Sequence, residues 1–200
     1  MDNSQIITVL VLLVVVALAA ALFLRKRRSD SLRQRFGPEY ESAVQRTGDR
    51  DRAEAELAAR EKRVAKLDLR PLPEPERRRF ADVWRQTQAH FVDDPGNAVK
   101  EADRLVKELM QAKGYPMGDF EQRAADISVD HPRVVESYRA ARAIAQANER
   151  GEAQTEDLRG AMVHYRTLFQ ELLDDRVPVE PPVAQPAARE PEPVGAPSRR

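Results

Sequence analysis

Three histidines, His90, His131 and His164, and the carboxylates beside the first of them, Asp93 and Asp94, are the side chains of this sequence best suited to metal binding or acid–base chemistry. Imidazole and carboxylate are both ligands for zinc or iron, so a fold that gathered His90, Asp93, His131 and His164 would make a metal centre or an enzyme. Their local settings point elsewhere. Asp94 stands before Pro95, the pattern of an N-cap followed by proline at the first helical position, and Asp130-His131-Pro132 repeats it. His164 lies at the margin of an apolar helical stripe. Adjacent acids such as Asp93 with Asp94 diverge on a helix instead of converging on a substrate. The sequence has no Cys, which excludes disulfides, thiolate metal sites and a cysteine nucleophile. It also lacks a nucleophile elbow, a paired-histidine zinc helix and a glycine-rich phosphate loop. The expectation is a protein with no catalytic residues, no cofactor and no metal.

The elements that would carry these residues begin with an unusual one. Residues 6–24 run for 19 positions without a charge, and Thr8 is the single polar side chain among them. As a helix this is roughly 28 Å, close to the ~30 Å hydrocarbon core of a bilayer. A soluble domain this small does not normally bury a helix that is apolar on every face, which argues against a core helix. A cleaved signal peptide normally opens with positive charge, whereas residues 1–5 carry none and Arg25-Lys26-Arg27-Arg28 follows the run. The asymmetry predicts a single-pass transmembrane helix with a short extracytoplasmic N-terminus at 1–5 and the rest cytoplasmic. Ala19-Ala20-Ala21 keeps export after cleavage as the alternative. Residues 25–36 form a basic juxtamembrane segment in which Arg25, Lys26, Arg27, Arg28, Arg33 and Arg35 oppose Asp30 alone. Such a cluster sets topology and attracts anionic headgroups. Ser29 and Ser31 inside it are positions where phosphorylation would reverse the local charge.

Beyond the basic segment the pattern is helical almost throughout, so the fold class is all-α. Residues 37–72 read as a charged helical linker, in which Ala53, Leu57, Arg60, Val64 and Leu67 form a thin coiled-coil seam for the same domain or a second copy. Residues 73–175 read as a compact helical bundle with helices over about 75–92, 95–113, 120–127, a segment opened by Pro132, and one from Thr155. Its expected core is Phe80, Trp84, Phe91, Leu105, Leu109, Tyr138, Tyr165 and Phe169. Residues 176–200 hold 7 Pro and no aromatic residue, the composition of a disordered tail. The basic triplet Arg77-Arg78-Arg79 wraps its helix instead of forming a stripe, so nucleic acid is not an expected partner.

The apolar run with its basic cap, "RFGPEY" at 35–40, "AEAELAAREKRV" at 53–64, "HFVDDP" at 90–95, "SVDHP" at 128–132 and "YRTLF" at 165–169 together resemble a group of uncharacterised bacterial single-pass membrane proteins, some labelled only as secreted or membrane proteins. The resemblance covers about residues 1–175 and implies topology and a helical fold, with no activity. With the residue-level reading it suggests a non-enzymatic interaction or scaffold module at the cytoplasmic face. Its partners would be the lipid bilayer and either an unidentified protein or a second copy.

Overall fold

The computed structural model describes residues 3–174, with side chains from Leu12 onward. Among the described residues the chain is all-helical, in eight helices: α1 (Asn3–Phe36), α2 (Pro38–Thr47), α3 (Arg50–Val64), α4 (Glu74–His90), α5 (Pro95–Ala112), α6 (Phe120–Asp130), α7 (Val135–Glu149) and α8 (Thr155–Asp174). The expectations for 176–200 fall outside these residues.

The apolar run and the basic segment are one helix. α1 passes through Leu24 and Arg25 without a break and ends only at Gly37, whose φ of 47° lets the chain reverse into α2 with Pro38 in its first turn. Among the described residues no helix is long and apolar enough to cross a membrane. The part of the apolar run with described side chains is residues 12–24, and the side chains of 6–11 lie outside. From Leu12 to Leu24 the large side chains are 56–64% exposed among the described residues.

The core expected from sequence sits where α4, α5, α7 and α8 pack together. Trp84 stacks on Phe169 with ring centroids 4.7 Å apart, and both are buried. Phe80, Leu105, Leu109, Tyr138 and Tyr165 are buried with them, while Phe91 is half-buried at the margin. Asp94 accepts from the Asn97 backbone N–H and starts α5 as its spelling suggests. The Asp130-His131-Pro132 reading needs correction. His131 closes α6 and Val134 stands at the N-cap of α7, because the helix starts only after a turn at 132–134.

The linker reading of 37–72 also needs correction. Leu32 and Phe36 of α1, Tyr40 and Ala43 of α2, Ala53, Leu57 and Val64 of α3, and Val129 of α6 form a second core. The four seam positions on α3, Ala53, Leu57, Arg60 and Val64, are buried, and Leu67 just past its end is half-buried, so this chain itself fills the seam. Leu67 and Leu69 pack against both cores and so join them. Three cross-links fix the direction of α3 along α1. Arg25 pairs with Asp51, Ser29 donates to Glu54, and Arg35 pairs with Glu61, so the two helices run parallel. α2 returns between them and brings the α2–α3 turn to the level of Arg25.

Gly114, just past the end of α5, is where the joint between the two cores is tightest. It has φ of 96°, and a Cβ there would lie 2.4 Å from the carbonyl oxygen of Asp68 in the α3–α4 connector. The same crossing is pinned by the Arg70 N–H donating to the Lys113 carbonyl at 3.0 Å. Gly114→Ala should therefore lower stability by about 2–3 kcal/mol through backbone strain and displacement of the connector. A shifted urea midpoint with little change in helical circular dichroism would be the signature.

Candidate functional site

The histidines are not brought together. His90 is exposed on α4 with Nδ1 3.1 Å from Glu101 of α5, His131 is buried with Nδ1 3.3 Å from Glu171 of α8, and His164 is half-buried on α8. Asp93 is exposed in the turn after α4, and Asp94 is committed to its cap. Among the described residues no group of three His, Cys, Asp or Glu side chains could hold a metal ion. The Arg77-Arg78-Arg79 triplet splits two ways: Arg77 and Arg78 face Glu74, and Arg79 lies over the Phe80 ring.

The basic segment of α1 differs from a free cationic collar. Arg25 pairs with Asp51, Arg33 with Glu41, and Arg35 with Glu61 and Asp130. Arg27 lies over the ring of Phe23. Lys26 and Arg28 make no ion pair or hydrogen bond among the described residues and are exposed. Ser29 is buried, donating to Glu54 at 2.6 Å and accepting from Arg50, so its hydroxyl is a strut between α1 and α3 and not a modification site. Ser31 is exposed. Glu54 also accepts from Tyr40 Oη at 2.7 Å and from Arg50 at 2.9 Å. Desolvation works against its ionised form, but these three donors hold its carboxyl below the ordinary value.

Sequence reasoning missed the most heavily hydrogen-bonded carboxylate among the described residues. Glu39, in the first turn of α2, is buried with its side chain only 2% exposed. Its Oε1 accepts from Arg46, from Arg60 at 2.8 Å and from Arg139 at 2.9 Å, and its Oε2 accepts from Arg139 Nη1 at 2.7 Å. Arg60 is equally buried and also donates to Ser128 of α6 and to Glu56. One carboxylate thus ties α2, α3 and α7, and through Arg60 it reaches α6. Burial alone would raise the Glu39 pKa, yet the guanidiniums of Arg139 and Arg60 more than offset it and hold the group below its ordinary value. Arg63 and Asp126, 2.7 Å apart, add a second tie between α3 and α6. The signal available in the sequence was the pair Leu32 and Phe36, four apart, followed by Tyr40 and Ala43 across a Gly-Pro turn.

These ties are structural chemistry. Each acid faces a base: the ties of Arg25, Ser29, Arg33 and Arg35 hold α1 to α2, α3 and α6, and those of Glu39 and Asp126 join α2, α3, α6 and α7. The assembly is thus defined as a helical domain with a protruding apolar helix clamped at its base. Compared with models of protein families, with curated proteins and with solved structures, the chain matches none.

Proposed function

We propose that the protein is a membrane-anchored helical interaction module of a bacterial cell. It crosses the membrane once, with the N-terminus outside and the domain in the cytoplasm, in the manner of the uncharacterised single-pass proteins it resembles. The observation that carries this reading is the unclothed apolar stretch 12–24, whose large side chains stay more than half exposed along a helix that then enters the domain. Contiguous exposed apolar surface of this extent marks an interaction or membrane face. Those 13 residues span about 20 Å, and the full uncharged run from 6 to 24 spans roughly 28 Å, enough for a bilayer. The basic residues directly after Leu24 favour the cytoplasmic side for the domain. A partner role for the domain is supported by its rigid mounting, which presents one fixed surface to the cytoplasm.

The test is carbonate extraction of membranes from cells making the full chain, followed by cross-linking and recovery of bound proteins. The protein should stay in the membrane pellet. Val15→Arg with Leu18→Arg, each costing about 2.5–3.5 kcal/mol at the centre of a span, should release it. Because both side chains are exposed, the domain fold should survive the change. Wild-type protein in the carbonate supernatant would sink the anchoring, and membranes that yield neither a partner nor a self-cross-link would sink the interaction role.

A further inference from the structure

The place where α1 leaves its apolar run holds a groove of about 320 Å³ that plain anchoring does not need. Leu22, Arg25 and Lys26 of α1 wall one side, and Arg50 and Asp51 of α3 wall the other, with Glu54 at the back. The parallel packing of α3 on α1 places this groove at the boundary between Leu24 and Arg25, the level at which a membrane-spanning run would meet headgroups.

Its chemistry is directional. Arg50 is held in place from one side: its Nε donates to Tyr40 Oη at 3.0 Å and to Glu54 at 2.9 Å, and its Nη2 donates to Ser29. Its Nη1 enters no hydrogen bond among the described residues, and the side chain is 60% exposed. Lys26, across the groove, has no acidic partner among the described residues. Leu22 adds an apolar wall on the side of the run. Three bases against two acids leave the groove with one net positive charge.

We propose that this groove seats the phosphodiester of an anionic phospholipid, with Lys26 and Arg50 donating to the phosphate and Leu22 lying along the first methylenes of the acyl chains. The proposal rests on the anchoring reading above. A single phosphodiester charge neutralises the groove. A zwitterionic lipid would bring its own ammonium against Arg25 and leave the excess charge in place, so selection favours the anionic headgroup.

The experiment is native mass spectrometry of the full chain in a non-ionic detergent, titrated with phosphatidylglycerol, phosphatidylcholine or inorganic phosphate. One phosphatidylglycerol should be retained in preference to phosphatidylcholine, and millimolar inorganic phosphate should fail to displace it. Lys26→Gln should weaken retention about fivefold, the worth of one base at an anionic surface. Arg28→Gln, which removes the same charge from the same helix outside the groove, should change it less than about twofold. Equal losses from both variants would mean a diffuse charge effect and overturn the site. Equal retention of both lipids would overturn the anionic preference, and displacement by phosphate would overturn the lipid as ligand. Failure here with the chain still in the carbonate pellet removes the headgroup site alone, whereas release from the pellet removes the anchoring beneath it.

Discussion

Glu39→Gln should destabilise the domain by about 3–5 kcal/mol, the usual result of removing one member of a buried ion pair. The reason is what remains. Arg60 is as buried as Glu39, so without the carboxylate its guanidinium and that of Arg139 face each other across an amide that can offer only one acceptor oxygen. For a domain of this size the loss corresponds to a melting point lower by about 10 °C, read by circular dichroism in detergent. The pH dependence supplies a second check. Because the folded pKa of Glu39 is lowered from 4.5, its contribution is fully present above the unfolded value. It begins to fade as pH drops below about 4.5 and is gone once pH passes the lower folded value. The wild type should therefore lose more stability than Glu39→Gln on acidification, and the two melting curves should draw together. Parallel curves down to pH 3 would show that Glu39 is not the ionised hub.

Trp84→Ala should cost the other core a comparable amount, about 3–5 kcal/mol, since a large buried aromatic leaves a cavity that its neighbours only partly fill. Trp84 lies nearly parallel to Phe169, with 17° between the rings, and bridges α4 to α8. α4 packs chiefly on α5, and this stack adds a direct tie from α4 to α8. Trp84→Phe keeps a ring against Phe169 and should cost only about 1–2 kcal/mol. If alanine and phenylalanine were equally tolerated, the stack would not be organising the bundle. Denaturation of both variants should be followed by circular dichroism, because Trp84 is also the sole tryptophan and its fluorescence disappears with it.

The parts of the fold that were legible are those whose burial is decided within one helix. α5 and α8 carry apolar stripes at regular helical spacing, and their positions, from Ala98 to Met110 and from Leu158 to Leu172, are the ones buried. Asp94 and Gly114 mark the ends of α5 by local chemistry alone. What was not legible depends on residues far apart in the chain. Glu39 looks like an ordinary first-turn acid until Arg139, 100 positions later, reaches it. Arg60 on the α3 seam looks like a polar interruption until Glu39 and Ser128 satisfy it. Ser29 looked open to modification because its sequence neighbours are all charged, and only the parallel docking of α3 hides it. The second core was missed for a related reason: its apolar residues are few per helix, and each stripe becomes a core only when α1, α2, α3 and α6 pool theirs.

The unbroken course of α1 has a mechanical consequence. A helix joined to its domain by a flexible tether lets the domain wander, but here the shaft and the load are keyed together by Leu32, Phe36 and the Arg25, Ser29 and Arg35 cross-links. Rotation of the apolar stretch about its own axis would turn the whole bundle through the same angle. Tilt would be magnified by distance: from the middle of the run near residue 15 to Phe36 is about 31 Å, so a 20° tilt swings Phe36 sideways by about 11 Å. On the proposed topology, a change in bilayer thickness that altered this tilt would act as a lever on the surface the domain presents.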